Sequence, residues 1–580
     1  MNLNRVGLNT TQPLVRLIII AAVLFGFLTY GNAGDIYTLS IAHINDTHGH
    51  LEPSSVPVTY NSHSFTVRAG GFPWLNAAVG AIRASHPNFL FLHAGDVFTG
   101  TVYFSKYHGL ADVDFLNSIL LDAMTPGNHE FDRGPAVFAE FIKKASFPVI
   151  SANIELSTRS PLHGLIKPYT IIEKNGRKIG IIGLTTTETP SISKPGKSVK
   201  FNDIIKSAKV SVTALNRQGV NIIIILSHVG YENDLILARS VPGVDVIVGG
   251  HSHTLLGDDT LSQTGLRPVG PYPTEVHGTD NSTVLVVTAW EFGKLLGLID
   301  IDFDADGRIV SYRGGQMVIL PDEPANTPEK AEFYEAVANG KVVSNPRFQI
   351  VKADPAAALK LDNYTAPIKE FMNETVSYAE EPLTRANNQG PGPIITDSML
   401  SKTAASGAVI AVMNSGGVRT DLPKGNLSIA GAYSLMPFNN TIYVLKLKGY
   451  QIKDAIESTI EFQINKMKKP PFIYASGLSL TMDMSKPKGR RVEGMKIKTR
   501  GTETSMPVKM DSYYKIAVSE YLAKGGDGFM ASQGTEAVSP LKAASFAVDT
   551  GFIDSEVFIE YIKSLKRLKN TVEQRIHMVE

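Results

Sequence analysis

The chain has 580 residues, 43% hydrophobic and 19% charged, enough apolar content for two or more units with sizeable cores. Lys and Arg number 56 against 55 Asp and Glu, so the composition gives no electrostatic footprint for binding long nucleic acid. With no cysteine, disulfides, thiolate metal ligands and a lipid-modified N-terminal Cys are excluded.

Arg5 and Arg16, the apolar stretch 17–28 and small residues around Gly31 and Ala33 read as a signal peptide over 1–33. The stretch is too short for the roughly 20 apolar residues that span a bilayer, and no later run reaches that length. The expectation is an exported protein, periplasmic or secreted, with no stable membrane span after cleavage.

Apolar runs follow at 36–44, 89–92, 178–184, 221–226, 244–248 and 284–288. They are β-rich and continuous, as strands buried on both faces should be. Between them 71–85 and 135–145 read as helices, which together make a layered α/β unit closing near Pro321 with the hairpin-like "DADGRIVSYRGG". Polar helical sequence then leads to 354–374, expected as one long amphipathic helix with Leu359, Tyr364, Ile368 and Phe371 on one side. Asp354 is its N-cap and Pro355 its first position. Runs at 408–413, 441–448 and 514–518 belong to a second α/β unit. The expected division is a signal peptide at 1–33, a first domain at 34–325, a linker with the interdomain helix at 326–374, a second domain at 375–568 and a tail at 569–580.

Metal-friendly side chains follow the apolar runs of the first unit one after another. Asp46 and His48 lie in "NDTHGH", Asp96 in "AGD", Asn128 and His129 in "GNHE", His228 in "SHVG", and His251 and His253 in "GGHSH". In open α/β sheets ligands bind at the carboxyl ends of strands. So many N and O donors exceed one tetrahedral site and suit two cations sharing a carboxylate, an arrangement that clamps an in-line displacement at phosphorus. Thirteen of the 14 histidines lie at or before His277, so a His-based site belongs to this unit. His43 and His93 lie inside strand-like runs and read as core residues. His50, His63, His86, His108, His163 and His277 read as loop or surface residues.

These motifs, with "GNHEFD", "NSGGVR" and "GGDGF" in the same order, resemble the 5'-nucleotidase family of calcineurin-like metallophosphoesterases, from about Tyr37 to Phe529. The resemblance implies an N-terminal four-layer α/β/β/α catalytic domain and a C-terminal α/β substrate-binding domain. It implies two divalent cations, Zn, Mn, Co or Mg: Asp46, His48 and His253 on one, Asn128, His228 and His251 on the other, and Asp96 bridging. His129 matches the catalytic histidine and Asp132 the residue that orients it. Several relatives carry Gln or Asn where this chain has His253. In the second domain the resemblance assigns phosphate to Arg385 and Arg419, base or sugar contact to Asn414, the ribose diol to Asp527, and base stacking to Phe438 and Tyr521. It also implies a large rotation between the domains, with a hinge near 354–374.

The expected activity is hydrolysis of nucleoside 5'-monophosphates to nucleoside and phosphate, extending to UDP-sugars. The alternative is a 2',3'-cyclic-nucleotide 2'-phosphodiesterase/3'-nucleotidase with the same metal ligands. A thiosulfate-chain hydrolase and a catalytically inactive nucleotide-binding protein rank behind. The partner is a small nucleotide; base preference and oligomeric state are open.

Overall fold

The computed structural model describes residues 36–280, 282–385, 390–467, 472–498, 504–570 and 575–579; the expected signal peptide lies outside the described residues. Two six-stranded sheets face one another in the first unit. One runs Arg347–Val351, Ile309–Pro321, Leu295–Phe303, Tyr37–Ile44, Phe89–His93, Ala123–Met124. The other runs Thr274–His277, Thr283–Thr288, Val246–Gly249, Ile222–His228, Arg177–Thr185, Tyr169–Lys174. The central strands are parallel within each sheet, pairing Tyr37–Ile44 with Phe89–His93 and Ile222–His228 with both of its neighbours. Parallel pairing aligns their carboxyl ends along one edge, where the motif loops begin.

Continuous apolar runs suit these strands because both faces are covered. Leu39, Ile41, Leu90 and Leu92 pack across the inter-sheet layer with Ile181, Ile223 and Ile225. On the outer face of the first sheet Phe72, Leu75, Phe115, Phe138 and Phe141 come from Phe72–Ser85, Leu110–Ser118 and Pro135–Lys144. Ala208, Val212, Leu215 and Leu237 of Ile204–Asn216 and Tyr231–Ser240 join the second sheet's core. The layers are therefore α/β/β/α.

The expected closing hairpin forms, with Leu295–Phe303 antiparallel to Ile309–Pro321. The chain does not leave the first unit there, however. Pro328–Ala338 contributes Phe333 and Tyr334 to a core with Val318 and Leu320, and Arg347–Val351 adds a parallel edge strand to the first sheet. The single long helix expected at 354–374 is two, Pro355–Thr365 and Ile368–Met372. Asp354 caps the first, accepting from the Ala357 N–H at 2.7 Å. Pro367, which has no N–H to donate, separates them. The buried stripe is Ala357, Leu361, Ile368 and Phe371, and Leu359 is 63% exposed.

The second unit is built on a five-stranded sheet ordered Ile473–Ser476, Ile410–Asn414, Tyr513–Ser519, Thr441–Lys448, Ala547–Ile553. Pro391–Thr403, Gly449–Phe462 and Asp554–Leu565 share its core. The expected tail is not loose throughout: Ile576–Val579 pairs in parallel with Leu478–Asp483, with Ile576 fully buried. No helix among the described residues is long and apolar enough to cross a membrane.

Candidate active site

All seven expected metal ligands sit just beyond, or at the end of, strands whose carboxyl ends share one edge. Five of them hold left-handed backbone: Asp46 (φ 50°), His48 (46°), Asp96 (58°), His251 (78°) and His253 (49°). Such conformations cost about 1–3 kcal/mol each and persist where surrounding structure imposes them. The imposition is visible here. Asp46 N–H bonds Gly95 O at 2.9 Å, His48 N–H bonds Asp96 O at 3.0 Å and Gly49 N–H bonds Val97 O at 2.9 Å, so the first two ligand loops are zipped together. Glu130 accepts from four backbone N–H groups, those of Asp96, Val97, Phe98 and Gly127, at 2.5–3.2 Å, and ties the Asp96 loop to the Asn128 loop. Gly127 is a spatial requirement, because a Cβ there would collide with Asp96 Oδ1.

The donors fall into two groups, Asp46, His48 and His253, and Asp96, His228 and His251, each with ligand atoms within 4.8 Å of one another. His48 Nδ1 donates to the carbonyls of Phe98 and Thr99 at 3.0 and 2.9 Å, and His253 Nδ1 donates to Glu291 at 3.0 Å. Their Nε2 atoms are therefore turned toward each other, 3.1 Å apart, with Asp46 Oδ1 3.4 Å from the His253 nitrogen. In the second group His228 Nδ1 donates to Ala94 O at 2.6 Å, leaving Nε2 facing Asp96 Oδ2 at 3.0 Å. Asn128 adds two buried side-chain atoms without a hydrogen-bond partner. Converging imidazole nitrogens and carboxylates, with the buried atoms of Asn128 and His228 Nε2 left without hydrogen-bond partners, make both groups fit a divalent cation. Asp96, which lies 3.9 Å from His48 and 3.0 Å from His228, is placed to serve both.

His129 is fully buried beside them, its ring 5.1 Å from that of His48. Its Nδ1 donates to Asp132 Oδ2 at 2.6 Å across a single 3-10 turn, and Asp132 is fixed by Thr99 at 2.6 Å and Ser193 at 2.8 Å. Burial lowers the His129 pKa, but Asp132 and Asp96 outweigh it and raise the pKa to about 9. The Asp132 carboxylate thus favours the protonated imidazole.

Of the six expected nucleotide contacts, Asn414, Tyr521 and Asp527 form one cluster. Asn414 Nδ2 donates to Asp527 Oδ2 at 2.7 Å and the Tyr521 hydroxyl donates to Oδ1 at 2.8 Å. The Arg419 guanidinium lies 5.5 Å from the centre of the Phe438 ring, and Arg385 pairs with Asp421 at 3.1 Å. Phe438 and Tyr521 are 55% and 46% exposed, unlike core aromatics. Between the units is a cavity of about 810 Å³, lined on one side by His50, Glu291 and Phe292 and on the other by Phe438, Asn439 and Glu520. Phe438 thus brings one of the six expected contacts to its wall. The second unit also covers the catalytic candidate: the Phe552 ring is 5.7 Å from that of His129, and a Cβ on Gly551 would collide with His129 Nε2.

His43 and His93 are core residues, both fully buried, as the strand runs suggest. His50 lies in a loop, as expected, and is half-buried. It stacks on Phe292 with centroids 4.1 Å apart and donates Nδ1–H to Thr47 O at 3.1 Å. Sequence reading also passed over Glu130, Asn45 and the pair Glu291 and Lys294. Asn45 donates to Asp46 Oδ2 and to Trp290 O, both at 2.6 Å. Glu130 was inside a quoted motif and "EFGK" carries an acid and a base three apart, but neither reveals what it touches.

The fold and the paired ligand groups are those of a dinuclear metallophosphoesterase. Residues 39–255 match the calcineurin-like phosphoesterase family and residues 370–533 the 5'-nucleotidase C-terminal domain. The chain is 31% identical to a probable 5'-nucleotidase of Treponema pallidum over 96% of this chain and 98% of that one. It is 32% identical to the 5'-nucleotidase of Homo sapiens, over 94% and 91%. The structure of Haemophilus influenzae NAD nucleotidase superposes with a TM-score of 0.84 at 28% identity, covering 94% of this chain and 99% of that one. That of a 5'-nucleotidase precursor from Thermus thermophilus superposes at 0.56 with 38% identity, covering 94% and 100%. The chain belongs to the 5'-nucleotidase family and is a metal-dependent phosphoric monoester hydrolase acting on nucleotides.

Proposed function

We propose that the protein is an exported enzyme that hydrolyses nucleoside 5'-monophosphates to nucleoside and phosphate. The observation that carries this reading is the pair of converging donor groups with Asp96 between them and the His129–Asp132 pair alongside. Asp46, His48 and His253 would hold one cation, Asn128, His228 and His251 the other, with Asp96 shared. Bound there, two divalent cations supply an acidified water and neutralise charge on the phosphoryl oxygens. Imidazole-rich sets of this kind suit Zn, Mn or Co, and the carboxylates also admit Mg.

His129, cationic and oriented by Asp132, stabilises the phosphoryl group as negative charge builds and gives its proton to the departing 5' oxygen. Phe438 and Tyr521 stack the base, Asp527 accepts from the ribose diol with Asn414 beside it, and Arg385 and Arg419 bind phosphate. The contact of Gly551 and Phe552 with His129 leaves no room for a phosphoryl group at Nε2, so turnover needs the second unit to move. Support for a hinge also comes from the two structural relatives: at nearly equal coverage the one more similar in sequence superposes less well, 0.56 against 0.84. A catalytic domain that runs on through Arg347–Val351, a hinge-bearing link within 352–374 and a substrate domain at 375–568 fit that motion. The signal-like segment 1–33 supports export.

The test is phosphate release from AMP by the mature protein, stripped with chelator and resupplied with Mn, Zn, Co or Mg. Metal should restore turnover, and His129→Ala should lower kcat by about 10²–10⁴-fold. No release from AMP, with turnover of 2',3'-cyclic AMP, a UDP-sugar or NAD instead, would replace the monophosphate reading. No turnover of any of them would remove the enzymatic one.

A further inference from the structure

His253 differs from the other ligand imidazoles in what holds it. His48 and His228 lean their Nδ1–H groups on backbone carbonyls. His253 leans on a carboxylate, Glu291, which is 15% exposed. Glu291 is itself clamped, its other oxygen 2.6 Å from Lys294 Nζ. That ammonium is 7% exposed and lies 4.5 Å from the centre of the Trp290 ring and 4.6 Å from that of Phe292. Trp290 and Phe292 reach these positions through left-handed backbone, φ 61° and 58°. The loop carrying all four residues is pinned to the first ligand loop: Phe292 N–H donates to Asp46 O at 2.7 Å, and Asn45 holds Trp290 O and the Ala289 N–H. An aromatic cage, a caged ammonium, a carboxylate and a ligand imidazole thus stand in series. The nearest counterpart in the other group is looser: His251 Nε2 is 4.0 Å from Glu188, whose side chain is 43% exposed.

A carboxylate accepting from the distal N–H of a ligand imidazole fixes its tautomer and orientation and raises its donor strength, more than a neutral carbonyl does. A cation caged by aromatic faces and paired at short range keeps that carboxylate from swinging away. We infer that Glu291, clamped by Lys294, is the positioning residue of the Asp46, His48 and His253 group and makes it the tighter of the two metal sites. The inference rests on the two-cation reading. It also gives His253 a purpose: an imidazole can exploit the Glu291 carboxylate through its distal N–H.

Calorimetric titration of the chelator-stripped mature protein with Mn(II) tests it, with the melting temperature of the stripped protein as the check on folding. The wild type should bind in two steps of unequal affinity. Glu291→Gln keeps the shape and an acceptor but removes the charge, and should weaken the tight step about 10–100-fold while leaving the weak step in place. The double variant Glu291→Gln, Lys294→Met, which avoids stranding a buried ammonium, should do the same. Glu188→Gln should leave the tight step alone. A wild type with two steps that Glu291→Gln leaves untouched, or weakens equally, overturns the inference but not the proposed function. A wild type that binds no Mn(II), Zn(II) or Co(II) overturns both.

Discussion

The two halves of the molecule hold their candidate ligand-binding side chains in opposite ways. In the first, Asn128 has no partner for either side-chain atom, and the Nε2 atoms of His48 and His253 point at one another. In the second, Asn414, Tyr521 and Asp527 satisfy one another, and Arg385 has Asp421. The first set is electrostatically incomplete as a polypeptide, which is what a site completed by cations requires. The second set is paired within the polypeptide and leaves two aromatic faces exposed. On the proposed reading one half is arranged for chemistry that cations supply and the other for recognition by stacking. Stability in the first half should therefore follow metal, and affinity for nucleoside should follow the second.

The largest break in that contrast should come from Asp96, which faces both donor groups and also accepts the His129 N–H at 2.9 Å. On the two-cation reading, removing its charge in Asp96→Asn takes an anionic ligand from each cation at once. The transition-state stabilisation that metals provide is several kcal/mol, so turnover should fall by roughly 10³-fold or more. The rise in melting temperature that Mn(II) gives the wild type should also shrink. Asp527→Asn, in the other half, should keep that rise. An Asp96→Asn protein that still binds two cations and turns over normally would mean that the bridge is elsewhere.

A smaller and cleaner effect belongs to Phe438. Stacking of one base on one aromatic ring is worth about 1–3 kcal/mol, so Phe438→Ala should raise KM for AMP by about 5–150-fold. Metal stoichiometry should be unchanged and kcat should move little. A fall in kcat at constant KM would place Phe438 in domain closure instead of base recognition. That outcome is open to measurement because Phe438 already lines the cavity shared with His50 and Phe292.

Most of the catalytic constellation was readable from sequence because its ligands follow continuous apolar runs, and parallel pairing turns that regularity into a shared edge. The left-handed turns at Asp46, His48, Asp96, His251 and His253 were not readable, since no local rule puts non-glycine residues there; tertiary hydrogen bonds impose them. The periodicity at 354–374 points to one helix where the structure has two, split at Pro367, and Leu361 occupies the buried side expected of Leu359. At about 100° per residue Tyr364, Ile368 and Phe371 lie within about 80° of Leu361 but roughly 120–180° from Leu359, so the spacing itself favours Leu361. The strand Arg347–Val351 was missed because an edge strand beside a long hairpin has short apolar content of its own. Glu291 and Lys294 were invisible for a different reason. Their meaning lies in His253, 38 positions earlier in the chain, and in the rings of Trp290 and Phe292 around the ammonium.

The smallest expected effect tests whether the contrast between the halves extends to acid. His43 is fully buried in the central strand of the first sheet, bonded through Nε2 to the Tyr272 hydroxyl at 2.8 Å, and burial lowers its pKa to about 3. A histidine whose folded pKa is below its unfolded value stabilises fully above pH 6.5, and that stability is lost as pH falls toward the folded value. Between about pH 6.5 and 5.0 the loss is about 2 kcal/mol, at about 1.36 kcal/mol per unit. Denaturant unfolding of His43→Gln, which keeps a donor for Tyr272, should show a shallower decline over that range by about this amount, even if the variant is less stable overall. The second half has no histidine before His577, so its unfolding should lack this component. Equal declines in wild type and His43→Gln would mean that His43 is protonated without penalty in the folded protein, and that the acid sensitivity of the first half resides in its metal ligands instead.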